Sequence, residues 1–284
     1  MKQTVVVTGA YGQLGKSLQD IAPLYPDINF HFFGRDQMPV QEFDITRNIL
    51  ETISPAVVIN AAAYTAVDKA ETEISLAFLI NGYAVGNLAT VCKKIGAKFL
   101  HVSTDYVFDG NATEPYKETD KVSPVNLYGA SKLKGEELAI TANPETIIVR
   151  TSWVYSKHGN NFVKTMLRLM KERESIGVVN DQIGCPTYAI DLAEILMKLS
   201  LSEVDGGIYH FSNSGPVTWF DFAKSIHDLT ASKCIVNAIP TTAFPTPAKR
   251  PHFSAMSNEK IIRATGIAQK DWLQNLKICL AQLT

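Results

Sequence analysis

Thr4-Val5-Val6-Val7-Thr8-Gly9-Ala10-Tyr11-Gly12-Gln13-Leu14-Gly15-Lys16 decides the fold. A β-branched run leads directly into glycines spaced by three and then into a helical pattern. Strand, glycine turn and helix in that order open a dinucleotide-binding unit. Glycines there permit a tight turn, close approach of a pyrophosphate and packing of helix on strand. Free N–H groups at the helix start hold phosphate charge. Cofactor contacts are therefore expected from Gly9, Tyr11, Gly12, Gln13, Leu14 and Gly15. The spacing is G-x-x-G-x-x-G rather than G-x-G-x-x-G, and an ordinary glycine-rich turn also fits it.

Working outward, strand and helix alternate along the chain, which predicts a parallel sheet covered by helices on both faces. Apolar runs without polar alternation, as buried parallel strands require, stand at Thr4–Thr8, Asn29–Phe33, Ala56–Ala63, Lys98–Ser103 and Thr146–Thr151. Helical patterns fill Gln13–Leu24, Thr46–Ile53, Ser75–Ile95 and Asn126–Thr141. Past Trp153 the pattern loosens. Helices are predicted at Asn161–Glu174, Ala189–Leu201 and Trp219–Thr230, short strands at Ile176–Val179 and Ile208–Phe211, and a last helix after Asp271. Pro240, Pro245, Pro247 and Pro251 read as one extended loop. The fold class is α/β, a Rossmann-type doubly wound sheet over residues 1–152 with a smaller α/β lobe over 153–284. Segments after 180 are expected to return to the first domain.

With 284 residues, a net charge of −1 and 46% hydrophobic residues, the composition is that of a globular enzyme and offers no basic excess for nucleic acid. No stretch reads as long and apolar enough to span a bilayer, so no membrane partner is expected. Cys92, Cys185, Cys234 and Cys279 are scattered without a C-x-x-C pair and read as reduced, mostly buried thiols of a cytoplasmic protein. A catalytic Cys185 is the sharper alternative, but no neighbouring histidine supports it. The six histidines show no metal-ligand spacing, so no metal site is expected.

Tyr128-Gly129-Ala130-Ser131-Lys132 follows a strand that ends in Ser103-Thr104-Asp105. The i, i+4 spacing puts Tyr128 and Lys132 on one helix face. An ammonium beside a phenol lowers its pKa and equips it to exchange a proton with a substrate oxygen as a ketone is reduced. At the tip of the second strand, Gly34-Arg35 offers an arginine where an acid would select NADH, so NADPH is favoured, with NADH also open because Asp36 follows. A solvated surface charge is the plainer reading of Arg35.

Taken together these segments resemble the extended short-chain dehydrogenase/reductase superfamily over essentially the whole chain. The resemblance rests on Thr8–Gly15, Asn60–Glu71, Ser103–Gly110, Tyr128–Lys132, Arg150–Tyr155, Gly159–Met166 and Asp181–Thr187. It implies Thr104, Tyr128 and Lys132 as catalytic residues, with Thr104 polarising a carbonyl and Lys132 also holding the nicotinamide ribose. It implies further that Ala62, Ala63 and Tyr64 border the cofactor, that Asp44-Ile45 flanks the adenine, and that Thr104, Asp105 and Trp153 meet the substrate. Plainer readings are a strand-end cap for Thr104, close helix packing for the alanines and a core side chain for Trp153. Asn160, Asn161, Lys164, Arg250 and His252 enter the expected sugar-nucleotide site on the resemblance alone. The implied partner is a dTDP-linked 4-keto-6-deoxy sugar, reduced with NADPH. Rival readings are a sugar-nucleotide epimerase or dehydratase, and a non-catalytic regulatory subunit of methionine adenosyltransferase. Some superfamily members place Mg²⁺ at a dimer contact of acidic C-terminal residues. The tail Lys277–Thr284 is poor in acid, which leaves Mg²⁺ and a homodimer open.

Overall fold

The computed structural model describes residues 2–283. In chain order the first elements are β1 (Gln3–Thr8), α1 (Gln13–Ile21), β2 (Ile28–Phe33), α2 (Phe43–Ile53) and β3 (Val57–Asn60). Next come α3 (Ile74–Phe78), a π-helical turn (Leu79–Tyr83), α4 (Ala84–Ile95), β4 (Lys98–Thr104), α5 (Leu127–Ala142) and β5 (Ile147–Thr151). After these follow β6 (Val154–Tyr155), α6 (Phe162–Glu172), β7 (Ser175–Val179), β8 (Ile183–Gly184), β9 (Thr187–Tyr188), α7 (Ala189–Leu201) and β10 (Gly207–His210). The chain closes with β11 (Val217–Thr218), α8 (Trp219–Leu229), β12 (Ile235–Ile239), α9 (Glu259–Thr265) and α10 (Trp272–Leu280).

Six parallel strands form the central sheet in the order β10-β5-β4-β3-β1-β2. The chain goes from β1 to β2 on one side, then crosses back to lay β3 on the other. This reversal opens a crevice at the carboxyl ends of β1 and β3, where open α/β sheets bind ligands. Register places Thr8 opposite Asn60 and Asn60 opposite His101, while Thr104 lies opposite Thr151. Four polar strand-end residues therefore stand on adjacent strands at one edge.

One face of the sheet is covered by α1 and α7, through Leu14, Leu18, Leu192 and Leu196. The other is covered by α4 and neighbouring helices, through Leu50, Val85, Leu88 and Ala139. A separate core, including Tyr155, Val163, Phe222, Trp272 and Leu276, holds together the elements that follow β5. β10 and α7, although late in the chain, belong to the first body.

Several elements depart from the sequence expectations. β3 stops at Asn60 because Ala61–Ala63 leave the sheet to line the crevice. β12, at the edge of a two-stranded parallel pair with β7, was hidden by its half-exposed Ile235-Val236-Asn237-Ala238-Ile239. The helical stretch Ile74–Ile95 corrects the bilayer reading, since it is long and apolar enough to cross a membrane by length and composition. Its apolar side chains have another use, because Ile80, Ala84, Val85, Leu88 and Cys92 are buried in the core beneath the sheet.

Candidate active site

The crevice is a cavity of about 790 Å³ between the sheet edge and the second lobe. At its centre Thr104 closes β4. Its hydroxyl accepts the Tyr106 N–H at 3.2 Å and donates to Asp105 Oδ1 at 3.0 Å. Tyr128 enters from the first turn of α5, next to the Thr104 hydroxyl and edge-on to Tyr106. Asn126 fixes that helix start by accepting the Gly129 N–H at 2.7 Å. Gly129 is required there, because a Cβ would run into the Tyr106 carbonyl. Asn81, in the π turn, clamps the adjoining loop to α5 by bonding Tyr64 N, Tyr64 O and Ser131 Oγ. Such turns are frequent at functional sites.

Lys132 is buried on the same face of α5, its Nζ donating to Val102 O at 2.6 Å and lying 3.2 Å from His101 Nε2. This overturns one electrostatic expectation. The Tyr128 phenol is not lowered by Lys132 but pushed up to about 12, chiefly by burial and further by Asp105, with the Thr104 hydroxyl opposing. The Lys132 ammonium is itself pushed down to about 8 by burial, with Glu136 acting against the shift. A phenol that stays protonated at neutral pH is equipped to donate a proton rather than to accept one.

Glu136, one turn past Lys132, accepts Ser103 Oγ at 2.5 Å and is held bidentately by Arg150, with Nη2 to Oε2 at 2.6 Å and Nε to Oε1 at 3.0 Å. Both ion-pair side chains are about 2% exposed. The pair bolts α5 to β5 and so sets Tyr128 against Thr104. Sequence reading missed Glu136 and His101, which are single residues inside a helix and a strand. Arg150 entered only as the start of a quoted segment.

Asp105 lies in the same cavity wall with Oδ2 buried and without a hydrogen-bond partner. Burial raises its carboxyl to about 6, against hydrogen bonds from Ser254 and Thr104. A raised folded-state pKa means stability is fully present below the unfolded value near 4 and is lost as pH rises through about 6. Asp105→Asn is therefore expected to raise the melting temperature at pH 8 and to lose most of that advantage at pH 4. Scans of both proteins at the two pH values check this, and a pH-independent difference would contradict it.

The β1–α1 turn passes a test for a dinucleotide. Gly9 has φ +69° and a Cβ there would lie 2.6 Å from Ala62 N, so the turn leaves a cradle only glycine provides. α1 starts at Gly12 without a side-chain cap, and Gly12, Gln13 and Leu14 line the cavity with its first N–H groups. Arg35, Ala62, Ala63 and Tyr64 line it too. Tyr11, Gly15, Asp44 and Ile45 are not among the residues that line the cavity. Gly15 is buried, packed against the Gly9 carbonyl, and Tyr11 turns outward to lie over Gly34. Asp44 sits in the first turn of α2 paired with Arg47 at 3.0 Å, and Ile45 is exposed beside it. The walls near them are instead made by Met38, Val40 and Gln41.

On the opposite wall Trp153 stacks on Trp219 at 3.4 Å and 8°. Trp153 holds φ +47°, a left-handed conformation that costs on the order of 1–3 kcal/mol in a bulky residue. Gly184 leaves the space its indole fills. Trp219 was not anticipated as a wall residue. Asn160 lines the cavity, whereas Asn161 caps α6 and bonds Gln13 Oε1 at 2.9 Å. Lys164 reaches back to the Lys157 carbonyl. Arg250 is held bidentately by Asp68 at 2.6 and 2.8 Å beside Trp153 and Trp219, while His252 is exposed and close to the Asp181 carbonyl. Cys185 is buried, its thiol pushed up to about 11. Among the described residues no cluster of three or more His, Cys, Asp or Glu could hold a metal ion.

A doubly wound sheet with a glycine cradle at its switch point and a strand-end threonine facing a tyrosine is the architecture of the short-chain dehydrogenase/reductase class. The model of the RmlD substrate binding domain matches residues 1–284. Similar proteins include a dTDP-4-dehydrorhamnose reductase of Aggregatibacter actinomycetemcomitans, 44% identical with 96% of this chain and 97% of that one covered. The same enzyme of Escherichia coli K12 is 42% identical over 98% and 97%. The solved dTDP-4-dehydrorhamnose reductase of Bacillus anthracis in complex with NADP superposes with a TM-score of 0.95 at 40% identity, covering 99% and 100%. The chain belongs to the RmlD substrate binding domain family, with dTDP-4-dehydrorhamnose reductases as its relatives.

Proposed function

We infer that this protein is an NADPH-dependent oxidoreductase that reduces the C4 keto group of dTDP-4-dehydro-L-rhamnose to give dTDP-L-rhamnose, the last step of dTDP-rhamnose synthesis. The observation that carries the reading is the protonated phenol of Tyr128 beside the Thr104 hydroxyl, in the cavity that the glycine turn opens. NADPH, when bound, supplies the hydride. Gly9, Gly12, Gln13 and Leu14 hold its pyrophosphate, Ala62, Ala63 and Tyr64 border it, and Lys132 holds the nicotinamide ribose. With the sugar bound, the Thr104 hydroxyl turns its proton from Asp105 Oδ1 to the keto oxygen, which makes C4 more electrophilic. Tyr128 gives its proton to that oxygen, a step worth ~10²–10⁴-fold. Asp105 accepts a sugar hydroxyl on its unpartnered Oδ2, and Trp153 with Trp219 covers the sugar. The lobe of residues 153–284 selects the nucleotide. The reading is that of a cytoplasmic enzyme supplying rhamnose for polysaccharide.

The direct test follows NADPH oxidation by absorbance with freshly generated dTDP-4-keto-L-rhamnose. Turnover with that sugar is expected. Tight NADPH binding without turnover would overturn the reading and favour another sugar nucleotide or a regulatory subunit. Cofactor preference has its own test. Arg35 lines the cavity at the tip of β2 with its side chain exposed, placed to meet a 2′-phosphate. Arg35→Ala is expected to weaken NADPH about tenfold or more, as loss of a charge-assisted hydrogen bond does, and to leave NADH nearly unchanged in fluorescence titrations. Equal loss for both would remove Arg35 from the phosphate site.

A further inference from the structure

The turn between β6 and α6, where the second lobe begins, is tied to the first body along α1. At the start of α1, Asn161 Nδ2 donates to Gln13 Oε1 at 2.9 Å, and Ser156 Oγ lies 3.1 Å from the same oxygen. Gln13 Nε2 faces the Val154 carbonyl at 3.4 Å. Two turns further along, Asp20 meets His158 Nε2 at 2.8 Å and Lys157 Nζ at 3.1 Å. Those three side chains are partly exposed, so their pairing holds the turn only weakly. The anchor at the cavity end is Gln13.

Backbone groups settle both amide orientations. Asn161 Oδ1 accepts the Lys164 N–H at 3.1 Å, so its NH₂ faces Gln13 and the Ser156 carbonyl, 2.8 Å away. Gln13 then presents its oxygen to Asn161 and its NH₂ to the Val154 carbonyl, which can only accept. The polar contacts of the Gln13 side chain thus run to the second lobe. Its backbone N–H, in the first turn of a helix, is left for a phosphate.

The turn is shaped around this anchor. Gly159 holds φ +59°, and a Cβ there would lie 3.1 Å from Gln13 Cγ. Ser156 Oγ accepts the His158 N–H at 3.1 Å and closes the turn on itself. Gly159 and Asn160, at its tip, line the cavity together with Trp153 and Val154.

We propose that Gln13 is a positioning residue for the sugar nucleotide: its side-chain oxygen holds Asn161, and through it sets Asn160 in the cavity wall. The proposal rests on the reductase reading for the identity of the ligand, whereas the anchor is independent of any substrate. Asn160 offers an amide to the hydroxyl and phosphate oxygens of that ligand. Without the anchor, part of the binding free energy goes into ordering the turn.

Two variants, each measured against both ligands, test this. Gln13→Ala is expected to raise KM for dTDP-4-keto-L-rhamnose about five- to tenfold, the worth of one such hydrogen bond, with the Kd of NADPH nearly unchanged. Gln13→Glu keeps an oxygen for Asn161 and Ser156 but sets a carboxylate beside the cofactor phosphates. The pattern is then expected to reverse, with the sugar KM near wild type at saturating NADPH and NADPH weakened about tenfold by like-charge repulsion. A Gln13→Ala loss that falls on NADPH, or no loss at all, would overturn the proposal. So would a Gln13→Glu sugar KM as high as that of Gln13→Ala, which would mark a merely structural role.

A third readout needs no substrate. Hydrogen exchange at the amides of His158, Lys164 and Thr165, which are bonded within the turn and the first turn of α6, is expected to quicken about fivefold in Gln13→Ala. Unchanged exchange would remove the anchor and with it the proposal. Either failure leaves wild-type turnover, and so the reductase reading, intact. Absence of wild-type turnover leaves the exchange result standing.

Discussion

Tyr128→Phe is expected to lower turnover of the keto sugar by ~10²–10⁴-fold while NADPH affinity stays nearly unchanged. The substitution removes one oxygen and keeps the ring, so the edge-on contact with Tyr106 survives. What is lost is the phenol beside the Thr104 hydroxyl, whose pKa, pushed up to about 12, keeps it protonated through the neutral range. Thr104 cannot replace it as proton donor, because an aliphatic hydroxyl is a far weaker acid than a phenol. Stopped-flow rates at saturating NADPH, together with a cofactor titration, separate the two effects. A fall confined to affinity would move Tyr128 from proton donor to cofactor contact.

Arg150→Met is expected to cost about 3–5 kcal/mol of stability, the largest effect predicted away from the chemistry. Arg150 and Glu136 are a buried bidentate pair, and removing the arginine leaves a carboxylate in the interior with a hydrogen bond from Ser103 and no direct ion pair among the described residues. The methionine stem fills much of the vacated volume, so the loss comes mainly from the uncompensated charge. Adding Glu136→Leu to Arg150→Met should restore a large part of the stability, because the stranded charge is gone. Urea midpoints for the two single variants and the double variant measure this. A double variant as unstable as the sum of the singles would mean that packing, not charge, sets the cost.

The sheet was legible in the sequence because buried parallel strands write themselves as uninterrupted apolar runs. Val5-Val6-Val7 and Val57-Val58-Ile59 are two examples, each fully buried. The glycine turn was legible because Gly9, at φ +69°, and Gly15, whose Cβ would strike the Gly9 carbonyl, answer needs that no other residue meets. β12 was not, since an edge strand with half its side chains exposed carries a weak pattern and stands next to prolines. At the site, Thr104, Tyr128 and Lys132 could be found from strand end and helical spacing. The lowered pKa expected for Tyr128 failed, because spacing says nothing of where a lysine ammonium points. Lys132 turns to Val102 and His101, and burial then dominates the phenol. Asp44 and Ile45 stand exposed in the first turn of α2, and the cavity wall is lined by Met38, Val40 and Gln41 instead. Glu136, His101 and Trp219 came into view only when helix and strand registers set them beside the predicted residues.

The central claim is delivery of hydride to C4 of a keto sugar in the cavity that Thr104 and Tyr128 share. It is tested most directly with NADPH carrying deuterium at both C4 positions of the nicotinamide, turned over with dTDP-4-keto-L-rhamnose. The account predicts dTDP-L-rhamnose with one deuterium, located at sugar C4 by mass spectrometry and NMR. Product without deuterium, or with deuterium at another carbon, would contradict it.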